Sequence, residues 1–222
     1  MNDMDYYEER VSIVNTCRKM CEMSYFIGTW GNVSVRVGDY ILLTPSRVDY
    51  DIMKYSDIIV IDMDGNKIQG DKNPTSEKEV HRQIYLKRKD VGAVIHAHTA
   101  NAMAVSAMDV DQVPCLVEEM SQLLGGGIPV TKTYVAAENH FELGRIAGET
   151  IGNKNGVILR NHGPVACGKN LGEAVLSAKV VEKSCGIYLN CLQSGVGQRV
   201  IPEHSVESEH YRYQFTYGKE QT

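Results

Sequence analysis

Val91-Gly92-Ala93-Val94-Ile95-His96-Ala97-His98 is the stretch from which both the fold and the chemistry are read. Its apolar first half has the length and composition of a short buried strand. Along a strand, residues two apart point to the same face. His96 and His98 are therefore aimed together from the end of a rigid element, as two nitrogen ligands of a divalent cation would be.

Outward from this strand the pattern mixes hairpins with helices. Residues 6–26 carry Val11, Val14, Cys17, Cys21 and Tyr25 at helical spacing, and Gly28 stops the run. Val33–Val37 alternates as a strand, Gly38-Asp39 signals a turn, and Tyr40–Leu43 returns. Ile58–Asp62 and Lys67-Ile68 form a second hairpin around Asp64-Gly65-Asn66. Pro74-Thr75-Ser76-Glu77 opens a helix with an expected apolar face at Val80, Ile84 and Leu86. Further helices are expected over 100–108, 139–151 and 171–192, and further strands over 128–130, 156–159 and 164–167. The mixture predicts an α/β fold with a central, mostly antiparallel sheet and helices on both faces, in a single domain over 1–222.

The chain has 222 residues, 43% hydrophobic and 23% charged, with a net charge of −5. That supplies one large core without a disulfide or metal staple. No basic run beyond Lys87-Arg88-Lys89 stands out, so a nucleic-acid partner is not expected. The N-terminus lacks an apolar leader and no stretch is long enough to span a bilayer, so the expected location is cytoplasmic, with no membrane partner. The six cysteines form no Cys-x-x-Cys pair and read as reduced thiols.

His162, in the turn Asn161-His162-Gly163, is the third imidazole candidate, and Glu77 at the helix start is a carboxylate candidate. Three imidazoles and one carboxylate suit zinc, with Mn2+, Co2+ or Fe2+ as alternatives. Each residue alone is also an ordinary turn, cap or core residue; spacing leaves the metal site open. His81, His140, His204 and His210 read as exposed and receive no role.

Thr29-Trp30-Gly31-Asn32-Val33-Ser34-Val35-Arg36, Thr44-Pro45-Ser46, Pro74-Thr75-Ser76-Glu77, His96-Ala97-His98 and Asn161-His162-Gly163 occur in this order. Together they resemble the class II aldolase/epimerase family, which contains fuculose-phosphate aldolases and ribulose-phosphate 4-epimerases. The likeness runs from about residue 8 to Tyr217. It implies a three-layer α/β/α fold with a nine-stranded sheet, assembled as a homotetramer with sites between subunits. It implies zinc on His96, His98 and His162, with Glu77 as a ligand that substrate displaces and that then acts as base. It also implies a phosphate pocket of Gly31, Asn32, Ser46, Thr75 and Ser76.

Two positions depart from the pattern. Arg47 stands where these enzymes usually have glycine, and could clamp a phosphate or carboxylate, fill part of the pocket or pair with a neighbouring subunit. Glu119 falls where fuculose-phosphate aldolases place a catalytic tyrosine, and resembles the acid/base glutamate of methylthioribulose-phosphate dehydratases. A proton-donor role would need its pKa raised. Phe215-Thr216-Tyr217-Gly218 resembles the aldolase tail that carries a second catalytic tyrosine, so Tyr217 is expected to close over the site from a mobile tail spanning about 195–222. The implied reaction is metal-dependent cleavage of a ketose 1-phosphate, fuculose-like or 5-deoxypentulose-like, to dihydroxyacetone phosphate and an aldehyde. The alternatives are an epimerase, a dehydratase, a decarboxylase of a phosphorylated 3-oxo acid, or a non-catalytic scaffold relative.

Overall fold

A computed structural model describes residues 5–217. Helix α1 (Tyr7–Glu22) leads into the strands β1 (Asn32–Val37), β2 (Tyr40–Leu43), β3 (Ile59–Asp62) and β4 (Lys67–Gln69). Helix α2 (Lys78–Lys87) is followed by β5 (Ala93–His96) and α3 (Ala100–Ser106). Two short strands, β6 (Gln112–Val113) and β7 (Ile128–Pro129), bracket a π-helical turn at Met120–Leu124. Then come α4 (His140–Ile151), the hairpin β8 (Gly156–Leu159) and β9 (Gly163–Gly168), α5 (Leu171–Gln193) and α6 (Glu203–Phe215).

The main sheet runs β4-β3-β2-β1-β5-β9-β8, and every neighbouring pair is antiparallel. Alternate residues feed two cores. Leu42, Val60, Ala93, Ile95 and Ala166 face α1 and α5. Ile41, Leu43, Ile59, Ile61, Val94, Val165 and Cys167 face α2 and α4. Strands covered on both sides lose the polar alternation of a half-exposed sheet, which is why β5 reads as a continuous apolar run. All six cysteines are free, and no helix among the described residues is long and apolar enough to cross a membrane.

The expected nine-stranded sheet is corrected to a seven-stranded one, with β6 and β7 as a separate two-stranded ribbon. Val130, just past β7, makes a single parallel bridge to Ile158, with the Thr131 N–H donating to the Ile158 carbonyl at 2.9 Å. Donors along such an edge come from every second residue, so the next would be residue 129. Proline there has no N–H, and the ladder stops.

Three other expectations change. The polar segment expected to be mobile runs into α6, whose buried Val206 packs with Leu124 and Ile128. The His210 Nδ1–H donates to the Gln122 carbonyl at 2.8 Å, fixing α6 on the π-turn. A helix held by one buried apolar residue leaves little periodic signal. Gly218, with the rest of the expected tail, lies outside the described residues. On α2, Tyr85 rather than Leu86 is buried beside Val80 and Ile84.

His81, expected at the surface, is fully buried on α2. Burial pushes its pKa from the ordinary 6.5 down to about 4, partly opposed by the nearby Glu77 charge. Between these values the unfolded chain binds more protons, so this contribution is complete above pH 6.5 and is lost as the pH falls towards 4. The stake is about 3 kcal/mol. In urea unfolding of metal-free protein, stability should fall between pH 6.5 and 4 more steeply for the wild type than for His81→Gln. Parallel slopes would show that folding does not lower the His81 pKa.

Candidate active site and metal centre

The two ends of β5 and β1 set the frame. His96 closes β5 and pairs with Asn32 on β1 and with Val165 on β9. Directly opposed residues share a face, so Asn32 and His96 both point towards the α2 layer. The His96 Nδ1–H donates to the Pro164 carbonyl at 3.0 Å, which leaves the Nε2 lone pair free to point into the site. His98 lies two residues on, with its Nε2 3.1 Å from that of His96.

His162 arrives from the β8–β9 turn. Asn161 before it takes the left-handed conformation, φ 53°, which asparagine tolerates. Gly163 after it has no room for a side chain: a Cβ would stand 2.5 Å from the Ala97 carbonyl. That close approach brings the turn against the end of β5. The three imidazoles stand edge-on to one another with centroids 4.7–5.2 Å apart.

Glu77 stands at the N-cap position of α2, with its side chain turned to the cluster instead of the helix end. Its Oε1 lies 3.0 Å from His162 Nε2, and its Oε2 lies 3.4 Å from His96 Nε2. The Asn32 Nδ2–H donates to Oε2 at 2.7 Å. Burial alone would raise the Glu77 pKa, but His96, His162 and the Asn32 amide outweigh it and hold the group well below the usual carboxylate range. Burial pushes His96 down to about 3, and burial together with His162 lowers His98.

This donor set fits a divalent cation. Zinc bonds of 2.0–2.1 Å in a tetrahedron separate ligand atoms by about 3.3 Å. Three of the pairs here lie at 3.0, 3.1 and 3.4 Å, and the ligand atoms of His96, His98 and His162 all fall within 4.8 Å of one another. The lowered His96 and His98 and the ionised Glu77 are in the protonation states that coordination requires.

A cavity of about 320 Å³ opens onto the cluster. Glu77, His98 and His162 line it, and so do Gly31, Asn32, Ser46, Arg47, Thr75 and Ser76. The two loops that carry these polar residues are laced together: the Ser46 N–H donates to the Asn73 carbonyl at 2.9 Å and the Thr75 N–H to the Thr44 carbonyl at 3.0 Å. Gly31 has φ 104° and sits against the Phe26 ring, where a Cβ would clash at 2.3 Å. Asn32 spends one amide hydrogen on Glu77 and has a second for a ligand. Arg47 holds a left-handed backbone, φ 59°, that a glycine adopts without cost. Its side chain lines both this cavity and an open depression beside Lys72 and Asn73.

Two candidate residues lie elsewhere in the single chain. Glu119 is half-exposed and paired with Lys183. The Lys183 hydrogen bond lowers its pKa, opposite to what a proton donor needs. Tyr217 is 59% exposed and stacks on Tyr213. It lines a separate depression with Asn155, Lys169 and Glu173. Trp30 is a site residue that the sequence did not single out. It is 64% exposed at the cavity rim and stacks on His98 at 6.2 Å. Its exposure leaves no hydrophobic pattern to betray it. His81 was missed too, although it stands one helical turn beyond Glu77.

Comparisons with known proteins agree with this geometry. The family model described as "Class II Aldolase and Adducin N-terminal domain" matches residues 11–189. The L-fuculose phosphate aldolase of Methanocaldococcus jannaschii is 35% identical over 184 residues, covering 82% of this chain and 96% of the relative. A solved L-fuculose 1-phosphate aldolase superposes with a TM-score of 0.89 at 28% identity, covering 97% of this chain and 100% of that one. The L-fuculose-1-phosphate aldolase of Thermus thermophilus shares the fold, with a TM-score of 0.71 at 24% identity over 86% of this chain and 100% of that one. The chain belongs to the class II aldolase and adducin N-terminal domain family.

Proposed function

We propose that this protein is a divalent-metal-dependent aldolase that cleaves a ketose 1-phosphate into dihydroxyacetone phosphate and an aldehyde. The observation that carries the reading is one cavity lined both by metal-ligand candidates and by a polar cradle. Gly31, Asn32, Ser46, Arg47, Thr75 and Ser76 surround the same space as Glu77, His98 and His162. Hydroxyls, an amide and a guanidinium beside a helix N-terminus suit a phosphate. The aldolase relatives add weight to it.

In this reading His96, His98, His162 and Glu77 hold the cation, with zinc as the expected metal. The cation would act as a Lewis acid towards the carbonyl and neighbouring hydroxyl of the substrate. Breaking the C3–C4 bond leaves an electron pair on C3, conjugated with the C2 carbonyl. The C4 hydroxyl loses its proton and becomes the aldehyde, and a proton added at C3 completes dihydroxyacetone phosphate. Glu77, ionised at rest, takes up the proton released from the C4 hydroxyl and, as the carboxylic acid, delivers it to C3; in the exchange direction its carboxylate removes the C3 proton as base. The phosphate cradle fixes the other end of the chain so that C3 faces Glu77.

Glu119 and Tyr217 enter this mechanism as acids supplied across a subunit boundary of a homotetramer, since within one chain neither lines the cavity. Release of the Lys183 partner on assembly is then part of the proposal for Glu119. A sugar-phosphate epimerase, dehydratase or decarboxylase is distinguished by its products, because aldol cleavage alone yields two carbonyl fragments and no carbon dioxide.

Deuterium exchange into dihydroxyacetone phosphate, followed by NMR, tests the reading without knowledge of the aldehyde. Exchange should require metal, stop with chelator, and fall at least about 100-fold in Glu77→Gln. A metal-loaded wild type that exchanges nothing would overturn the aldolase reading. Gly163→Ala should weaken zinc binding by about 10-fold or more, because the added methyl pushes His162 away from β5. Competition with a chromophoric chelator measures it, and unchanged affinity would show that the turn relaxes freely.

A further inference from the structure

Behind Glu77 runs a line of buried polar side chains of which the mechanism uses Asn32 alone. Glu77, His81 and Tyr85 stand at successive turns on one side of α2. Asn32 and Ser34, two residues apart, share one face of β1. Four residues of helix advance about 6 Å and two of strand about 6.8 Å, so the two rows interleave. The Asn32 Nδ2 lies 2.7 Å from Glu77 Oε2, and His81 Nε2 lies 2.5 Å from Asn32 Oδ1. Ser34 Oγ is 2.7 Å from His81 Nδ1 and 2.8 Å from the Tyr85 hydroxyl. Ser34, His81 and Tyr85 are fully buried.

The chemistry of the groups gives this line a direction. An ionised carboxylate only accepts, so Asn32 must turn its amide N–H to Glu77 and its oxygen to His81. His81 must then carry its proton on Nε2 and accept at Nδ1. The Ser34 hydroxyl donates to Nδ1, and the Tyr85 hydroxyl donates to Ser34. Each donor points towards Glu77. The reverse orientation would set the Asn32 oxygen against the carboxylate 2.7 Å away and leave that buried charge without its donor.

Resting on the reading of Glu77 as metal ligand and base, we propose that His81 is a positioning residue. Its Nε2–H locks the Asn32 amide, which holds Oε2 of Glu77 and leaves Oε1 turned to the metal cluster. Tyr85 and Ser34 serve to fix the His81 tautomer. The role needs no proton transfer by His81.

The test uses zinc-loaded, 15N-labelled protein and long-range proton–nitrogen NMR. A neutral His81 with its proton on Nε2 throughout pH 6–9 is expected; the Nδ1–H tautomer overturns the proposal. Chelator competition with Zn2+ alone gives the second readout. His81→Leu should bind zinc about 10–100-fold more weakly, while His81→Gln, whose amide can donate towards Asn32, recovers most of the loss. Wild-type zinc affinity in His81→Leu overturns it. Where dihydroxyacetone phosphate exchange is measurable, kcat should follow the same order with KM little changed. If His81→Leu fails to fold, the wild-type tautomer still decides, since an Nδ1–H tautomer cannot donate to the Asn32 oxygen and overturns the proposal. Tautomer and zinc affinity are read without turnover. A failed aldolase assay therefore leaves them able to decide this proposal.

Discussion

The burial of the Glu77 carboxylate is the constraint on which the site depends. A negative charge taken out of water is tolerated only with partners close by. The Asn32 N–H from β1 donates to Glu77, and His96 from β5 and His162 from the β8–β9 turn stand beside it as the other ligands a cation would share. Each comes from a different element of the sheet. This set of neighbours is complete only when the sheet is paired in its native register, so folding and assembly of the site are one event. A one-residue slip of β5 against β1 would turn His96 to the opposite face and leave the carboxylate without it.

The same constraint explains the polarity of the α2 layer. Most of this layer is aliphatic, with Val80, Ile84, Leu143 and Ile151 under the sheet. Next to Glu77 the packing changes to Asn32, His81, Ser34 and Tyr85, whose donors and acceptors are matched among themselves. A buried polar line is tolerable when each member is satisfied, and it specifies one arrangement where apolar side chains would accept several. The cavity beyond Glu77 is different in character. Its wall is polar and laced by backbone hydrogen bonds, and its rim carries the exposed Trp30 and Arg47. Buried order thus lies on one side of the carboxylate and open, ligand-sized space on the other.

Much of the fold could be read from residue order. The helices at α1, α4 and α5 and the hairpins β1–β2 and β8–β9 announce themselves by apolar period and by Gly or Asn turns, which are local properties. Glu77 and the three histidines stand out by residue type at element ends. α6 did not, since it docks through Val206 and a few polar contacts. The division of the sheet did not either: Pro129 is visible in the sequence, but which edge its missing N–H faces is set by the pairing. His81 was misread for a related reason. A histidine between a glutamate and a tyrosine at helical spacing resembles a solvent-facing row, and only the packing of β1 against α2 reverses it.

Residue identity alone therefore settled which side chains can ligate, accept or donate, and most of the segments that are helix or strand, because these follow from side-chain chemistry and local period. Tertiary structure decided which of them meet. It joined Asn32 to His81 and Glu77, gathered Gly31, Ser46, Arg47, Thr75 and Ser76 around one cavity, and left Glu119 with Lys183 and Tyr217 with Tyr213. Those meetings depend on strand register and on close approaches such as Gly163 against Ala97, which are made between residues far apart along the chain and carry no local signal.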